Sequence, residues 1–175
     1  MIKRLGRFKY LIAFFLVVPS ISSAALQVSG SGGISFGSGE AHSGYDSLSP
    51  LLGGELTYGL ADVFQIGGFF DYNFLPNSAN VDASTWFTGP LARIGFGYIS
   101  DIFFDLKVGL TKTNVGTFSS NTAVGVGAGI GYNVSFLPLI SLKPRIGYRL
   151  LPFNVSSGSF SRHMIDFGAV ISFSI

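Results

Sequence analysis

Residues 122–134 read TAVGVGAGIGYNV, and this stretch decides the fold. Its even-numbered positions are Thr122 and then a mostly apolar row, whereas its odd-numbered positions are Ala123, four glycines and Asn133. A period of two is typical of a β-strand, because successive side chains of a strand point to opposite faces. A continuous apolar face opposite a small, polar face predicts a strand that borders an apolar solvent on one side.

The same alternation recurs along the chain. Eight such segments can be placed between Leu26 and Ile175, and one face of all eight carries no charged side chain. Short connections near Ala61, Ser100 and Leu137 alternate with longer ones at 38–49, 76–82, 112–121 and 151–161. Outer-membrane barrels alternate short periplasmic turns with long extracellular loops in this way. The sequence therefore predicts an all-β fold, an eight-stranded antiparallel up-and-down transmembrane β-barrel.

The first residues have the form of a secretory signal peptide. Four cations precede an apolar run from Leu11 to Val18, and Ser22-Ser23-Ala24 follows as a cleavage site. The apolar run is too short for a transmembrane helix, which needs about 20 residues. We expect a signal peptide over 1–24 and a barrel domain over 25–175, with cleavage after Ala24 or Ala25. A membrane-anchoring amphipathic helix is the alternative for this segment.

The low content of charged residues argues against an ordinary soluble domain. Charged residues make up 11% of the chain, whereas soluble domains carry about 25%. The whole chain has a net charge of +2, but loss of the four N-terminal cations would leave seven basic and nine acidic residues. The basic isoelectric point therefore does not predict nucleic-acid binding. There is no cysteine, which excludes disulfides and thiolate metal sites.

Most charges of the predicted barrel share the inward parity. A lumen charge network is predicted from nine of them: Glu55, Asp71, Arg93, Asp105, Lys107, Lys143, Arg145, Arg149 and Asp166. The other charges, Arg162 and Lys112 among them, are expected in loops, turns or strand tips. An outward cation at the membrane centre would cost about 2–4 kcal/mol, which explains the segregation. A secreted lipocalin-like barrel would show the opposite pattern, with an apolar interior.

Strand pairing can be estimated from the turns. If strands four and five pair symmetrically about Ser100, Arg93 lies level with Lys107 and diagonal to Asp105. Two cations at one height need that carboxylate, or one from across the lumen such as Glu55 or Asp71. If strands six and seven pair about Leu137, the three cations of strand seven lie opposite glycines, which make room for them. Pro90 and Pro144 each remove a donor from a strand interior, so we expect a β-bulge or a misplaced strand boundary at each.

Candidate chemical sites are few. The glycines of 125–131 recur every two residues with no helix after them, so they do not form a nucleotide-binding loop. His163 has outward parity at the end of strand eight and has only Ser161 as a near hydroxyl, which favours an interfacial residue over a catalytic base. His42, Glu40 and Asp46 could form a weak divalent-cation site, but solvated side chains are the simpler interpretation. No catalytic residue, metal or cofactor is expected.

The stretches GGELTYG at 53–59 and GFGY at 95–98, the signal peptide and the C-terminal strand resemble the OmpA/OmpX/OmpW-like small outer-membrane barrels. The resemblance implies a multi-pass protein of a Gram-negative outer membrane, inserted by the barrel-assembly machinery and in contact with outer-membrane lipids and lipopolysaccharide. It also implies a monomer that does not bind nucleic acid.

Three functions follow as hypotheses. The first is a non-enzymatic barrel whose structural or adhesive role resides in the exposed loops. The second, which the resemblance to OmpW implies, is a narrow pore or transporter for small or apolar compounds. The third is a lipid A-modifying enzyme, which would need a histidine with a nearby hydroxyl and carboxylate.

Overall fold

The structure is a computed structural model that describes residues 26–38, 48–61, 63–75, 83–96, 100–155 and 158–175. The predicted signal peptide and the group formed by His42, Glu40 and Asp46 lie outside the described residues, so both stay predictions. None of the described residues forms a helix that is long and apolar enough to cross a membrane.

The described chain forms strands throughout. Their bounds are β1 (Leu26–Ser38), β2 (Leu48–Ala61), β3 (Phe64–Leu75), β4 (Ala83–Phe96), β5 (Ser100–Val115), β6 (Phe118–Ser119), β7 (Ala123–Tyr132), β8 (Val134–Leu137), β9 (Ile140–Val155) and β10 (Gly158–Ser174). β6 is a two-residue return on β5 after a turn at Gly116, whose φ of 56° suits glycine. β7 and β8 are two parts of one barrel strand, since both pair with β9.

The sheet closes on itself. Each strand pairs antiparallel with the next, and β10 pairs with both β9 and β1. Counting β7 and β8 as one, eight strands surround the axis, which confirms the predicted fold class. Following paired residues once round the ring from Gln27 leads back to Gly37, ten residues further along β1. Such a stagger tilts the strands by roughly 35–45° from the barrel axis.

The two faces differ as the alternation predicts. Outward side chains such as Val124, Leu106 and Phe70 are 61%, 52% and 48% exposed. Inward side chains on the same strands are buried or half-buried. Exposed large apolar residues occur on every barrel strand, so the outer surface is a continuous apolar band. A soluble monomer rarely exposes a contiguous apolar surface of this extent.

Two predicted loops are shorter than expected, because the strands beside them continue. β5 extends to Val115 rather than ending before Lys112, and β9 and β10 are separated only by residues 156–157. Ser, Asn and Pro made 151–161 resemble a loop, yet Phe160 pairs with Phe153 across this hairpin. Cross-strand pairing therefore overrides the local composition here.

The predicted bulges at Pro90 and Pro144 are wrong. On the β5 side of Pro90, Thr88 pairs with Leu110 and Leu91 with Lys107, so the register is unchanged. Pro90 still pairs with Gly68 on its other side, and Pro144 pairs with Ala169. A proline lacks a donor toward one neighbour only, so the strand loses a hydrogen bond without gaining a residue. The register shifts lie instead near the short turns, between Gly59 and Ala61, Gly95 and Phe96, and Ser135 and Leu137.

Candidate functional site in the barrel lumen

All nine residues of the predicted lumen charge network lie on the inward face. Arg93, Asp105 and Lys107 come from β4 and β5, Glu55 and Asp71 from β2 and β3. The remaining four lie on β9 and β10: Lys143, Arg145, Arg149 and Asp166. Their positions follow from parity alone, since each strand turns every second side chain toward the axis. They separate into two clusters and one isolated lysine.

The first cluster is centred on Glu55. Its side chain is 0% exposed and is contacted by three cations from three different strands. Arg93 Nη2 lies 2.9 Å from Glu55 Oε2, Lys107 Nζ lies 3.3 Å from Oε1, and Arg145 bonds directly to Oε1. A buried carboxylate is stable only when its charge is compensated and its oxygens accept hydrogen bonds. Glu55 therefore ties together β2, β4, β5 and β9.

Arg93 has a second carboxylate partner, directly across the β4–β5 pair. Its Nε donates to Asp105 Oδ1 at 2.6 Å and its Nη2 to Asp105 Oδ2 at 2.9 Å, a two-point arginine–carboxylate pair. The prediction that Arg93 lies level with Lys107 is wrong. The connection is not centred on Ser100, because Phe96 pairs with Ser100 and Gly95 with Phe103. Arg93 therefore faces Asp105, two residues from the expected partner, and Lys107 faces Leu91. Lys107 Nζ instead lies 2.9 Å from Asp71 Oδ2.

Aromatic rings cover two of these cations on the inside of the barrel. The guanidinium of Arg93 lies 4.6 Å from the centre of the Phe103 ring, and Lys107 Nζ lies 4.6 Å from the centre of the Phe69 ring. Cation–π contacts of this kind are worth more when water is excluded. The rings both stabilise the cations and narrow the lumen around them.

The second cluster joins Arg149 to Asp166. Arg149 Nε and Nη2 donate to the two carboxylate oxygens at 2.5 and 2.7 Å. Nη2 also contacts Asn73 Oδ1 at 2.8 Å, and Ser35 Oγ donates to Asp166 Oδ1 at 2.6 Å. This cluster therefore connects β9 and β10 with β1 and β3 through the interior.

Lys143 stands apart from both clusters. It is 3% exposed, and its Nζ donates to Gln27 Oε1 at 2.8 Å. None of the ion pairs found among the described residues includes it. Sequence parity placed this residue inside the barrel but could not predict that it takes no part in the ion pairs of the described residues.

Glycines make room for the long cations, although not at the predicted pairs. Gly131 faces Arg145 and Gly127 faces Arg149, whereas pairing about Leu137 would have placed Gly129 and Gly125 there. The connection is centred after Leu137, since Leu137 pairs with Ile140 and Ser135 with Ser141, and this accounts for the difference. At Gly127 an added Cβ would lie 3.1 Å from Cγ of Arg149, so a larger residue would push the arginine from its partner.

An apolar layer inside the barrel was not predicted. Phe69, Phe87, Leu91, Leu151 and Met164 form one buried cluster of inward side chains. Phe87 and Met164 are 0% exposed. The parity of these residues was visible in the sequence, but the inward face was expected to be small and polar. An eight-stranded barrel is narrow enough for side chains to fill it, so apolar residues can pack there as in a soluble core.

Arg162 was also assigned wrongly. It was expected at a strand tip, but it is 2% exposed and lies on the inward face of β10. Its Nη1 donates to Thr85 Oγ1 at 3.1 Å, and its guanidinium lies 5.9 Å from the centre of the Phe153 ring. The even-numbered inward parity of β10 continues to this residue, so the sequence signal was present. It was missed because the strand was taken to begin later.

Together these side chains close the lumen. The charge clusters and the apolar layer leave a cavity of about 30 Å³ between Asp71, Arg145 and Arg149, a volume that suits a single water molecule. A larger cavity of about 190 Å³ lies at the short-turn end, beside Gln27 and Lys143. Among the described residues, the arrangement is that of a filled barrel.

His163 lies on the outward face of β10, next to a different group than expected. Its Nδ1 lies 2.5 Å from the hydroxyl of Tyr148, and its strand partner on β1 is Ser38. Ser161 is therefore not its nearest hydroxyl-bearing neighbour. Among the described residues, no group of three or more His, Cys, Asp and Glu side chains is placed to hold a metal ion.

No protein-family model matches the chain. No curated protein sequence matches it either.

Solved structures, by contrast, share its fold. Neisserial surface protein A is 15% identical with a TM-score of 0.73, over 86% of this chain and 98% of that one. Ail, the attachment invasion locus protein of Yersinia pestis, is 14% identical with a TM-score of 0.54, over 86% and 99%. The outer-membrane protein OprG of Pseudomonas aeruginosa is 10% identical with a TM-score of 0.51, over 86% and 96%. In fold, the chain is thus a small eight-stranded β-barrel of the outer-membrane type, as the resemblance to the OmpA/OmpX/OmpW-like barrels predicts.

Proposed function

We propose that the protein is an integral barrel of a Gram-negative outer membrane, with a structural or surface-interaction role carried by its extracellular connections. Its continuous apolar outer surface supports membrane insertion, because each apolar side chain that lipid covers leaves contact with water. That surface would contact outer-membrane lipids and lipopolysaccharide. The similarity in fold to outer-membrane proteins such as OprG points to the same compartment.

The filled lumen favours a closed scaffold over a pore. Phe87, Leu151 and Met164 are at most 1% exposed inside the barrel. An ion that crossed this apolar layer would lose its hydration shell and find no polar replacement. A narrow pore would require these side chains to leave their packed positions, so we favour a closed scaffold.

A non-enzymatic role is part of the proposal. Among the described residues, Tyr148 and His163 form an outward pair, but a histidine–tyrosine pair lacks the carboxylate that orients a catalytic histidine. An interfacial role fits better, because both rings place an apolar body and a polar tip at the membrane boundary.

The longer connections supply the surface for interaction. Residues 39–47 and 76–82 join neighbouring strands at the end of the barrel opposite the short turns. Rigid barrels commonly present variable loops in this way. The attachment invasion locus protein has the same fold, and its name indicates attachment. We therefore place the interaction at this end.

The single test of the closed scaffold is conductance. The refolded protein is added to a planar lipid bilayer, and current steps are recorded at 1 M KCl. We expect insertion, shown by heat-modifiable gel mobility of the same sample, without current steps. Regular steps from the wild-type protein would refute the closed scaffold and favour the pore.

The surface role is tested on whole cells. A Gram-negative host produces the wild-type protein or a variant in which 39–47 and 76–82 are replaced by Gly/Ser segments of equal length. We expect both proteins in the outer-membrane fraction and less attachment to epithelial monolayers with the variant. Equal attachment, together with unchanged detergent sensitivity in a deletion strain, would contradict both forms of the proposed role.

A further inference from the structure

The short-turn end of the barrel contains a cavity, which we call the vestibule. Its volume is about 190 Å³, and Gln27, Gln65, Phe103, Ser141 and Lys143 are among the residues that line it. Phe103 is buried and packs against Arg93, so the vestibule ends at the first charge cluster. It is therefore a blind pocket rather than the mouth of a channel.

Lys143 brings an uncompensated positive charge to this pocket. Its ammonium group has three hydrogens to donate, and its partner among the described residues is the neutral amide oxygen of Gln27, at 2.8 Å. A buried ammonium is costly unless a counter-charge lies close to it. Lys143 is 3% exposed, so bulk water compensates it poorly.

The neighbouring charge cluster cannot supply that counter-charge, because its own charges already match. Three carboxylates and three cations pair with one another there: Glu55, Asp71, Asp105, Arg93, Lys107 and Arg145. Asp101 also lines the vestibule but is exposed, and it accepts a hydrogen bond from the Tyr132 hydroxyl at 3.2 Å. The interior of the vestibule thus retains a net positive charge, with one solvated carboxylate at its edge.

The uncharged groups of the lining add a second requirement. Gln65 Oε1 and Asn133 Oδ1 are buried acceptors without a hydrogen-bond donor among the described residues. A ligand that suits the pocket must therefore carry negative charge for Lys143 and also a hydroxyl hydrogen to donate. Hydrogen phosphate has both features, whereas chloride has only the first.

We propose that the vestibule is a binding site for a small oxyanion of the hydrogen phosphate type, held chiefly by Lys143. The anion neutralises the buried ammonium, and its hydroxyl donates to the lining amides. It comes either as free phosphate from the aqueous side of the short turns or as the phosphate of a lipid headgroup at the same rim. The site is independent of the loop-borne role proposed above.

The test is equilibrium dialysis of the refolded protein in maltoside micelles against radiolabelled inorganic phosphate at constant ionic strength. Lys143→Gln removes the charge from β9. Lys112→Gln is its control, with the same chemical change on β5 at the end of the barrel away from the vestibule. We expect saturable binding to wild type and Lys112→Gln, and affinity weaker by about tenfold or more in Lys143→Gln, since charge-assisted hydrogen bonds are lost. Ser141→Leu, which narrows the vestibule without removing charge, should also weaken binding.

Short-chain phosphatidylglycerol added to the micelles separates the two sources of phosphate. Displacement of the label through the Lys143-dependent site would assign the anion to a lipid headgroup, and retention of the label would assign it to free phosphate. Absence of saturable binding to the folded wild-type protein would overturn the proposal. Equal affinities of the Lys143→Gln and Lys112→Gln proteins would overturn it as well.

Discussion

Removing Asp105 tests whether the charge cluster is a coupled unit. Asp105→Ala leaves the guanidinium of Arg93 with Glu55 as its remaining carboxylate partner. Both members of the pair are 3% exposed, so solvent cannot replace the lost oxygens. Breaking a buried ion pair by removing one partner costs about 3–5 kcal/mol. We expect the free energy of unfolding of Asp105→Ala to fall by an amount in that range.

The double variant supplies the decisive comparison. Arg93→Ala alone should also destabilise, but less, because Glu55 keeps Lys107 and Arg145. In the Asp105→Ala/Arg93→Ala protein the cluster is again electrically balanced. The two changes should therefore cost less together than their sum, with a coupling energy of about 2 kcal/mol or more.

Urea unfolding in lipid vesicles, followed by tryptophan fluorescence and gel mobility, measures these free energies. Asp101→Ala is the control, because it removes an exposed carboxylate from the start of the same strand and should cost about 0.5 kcal/mol or less. Strictly additive effects of Asp105→Ala and Arg93→Ala would refute the inference that the residues are partners. A loss of the same size in Asp101→Ala would show that the assay responds to charge rather than to burial.

Three further predictions follow from the packing. Val126→Arg places a charge on the exposed face and should prevent refolding, because a lipid-facing Arg costs about 2–4 kcal/mol. Ser141→Arg adds the same charge to the inner face and should refold. Equal refolding yields of the two variants would mean that the faces are misassigned. Gly109→Ala should destabilise by about 1–3 kcal/mol, because its Cβ would lie 2.1 Å from the Thr88 carbonyl oxygen. Gly30→Ala, with no atom within 4 Å of the new Cβ, should be nearly neutral. The urea midpoints of the two variants measure the difference, and equal midpoints would contradict the close approach of the strands at Gly109. Phe87→Ala should lower the free energy of unfolding by about 3–5 kcal/mol and introduce current steps in planar bilayers. A variant without current steps would show that the apolar layer is not the barrier to ion flow.

The alternation of apolar and polar residues predicts which face of the barrel each side chain takes, but it does not predict the register of strand pairing. Val126 and Gly127 take opposite faces because adjacent side chains of any strand must, so eight strands could be placed by parity. Register depends on how each turn closes. Phe96 pairs with Ser100 and Leu137 with Ile140, so neither connection is centred on Ser100 or Leu137 and the pairing differs by two residues from the one expected. The alternation of side chains carries no information about where a turn is centred. Lumen membership and the carboxylate partners of Arg93, Asp105 and Glu55, were therefore predictable, whereas the register that places Arg93 level with Asp105 was not.

The buried residues inside the barrel also divide into those that the sequence could predict and those that it could not. Arg162 and Met164 carry inward parity that could be counted in the sequence, and the former was missed only because the start of β10 was placed too late. The apolar cluster around Phe87 could not be deduced from alternation, because it requires inward residues of several strands to lie at one height. That height follows from the ten-residue stagger of the ring, which is a property of the closed sheet.

Closure of β1 on β10 has a consequence for the folding kinetics. Gln27 pairs with Ser174, and the amide of Ile175 donates to the carbonyl of Leu26, so these contacts join the first and last strands of the described chain. Neighbouring hairpins close small loops quickly, whereas this contact closes almost the entire chain and must wait for all of them. Until it forms, the edges of β1 and β10 remain open to pairing with other molecules. Release of those edges is also the natural first step of unfolding, so substitutions along the β1–β10 seam should alter the lifetime of the barrel more than its rate of formation.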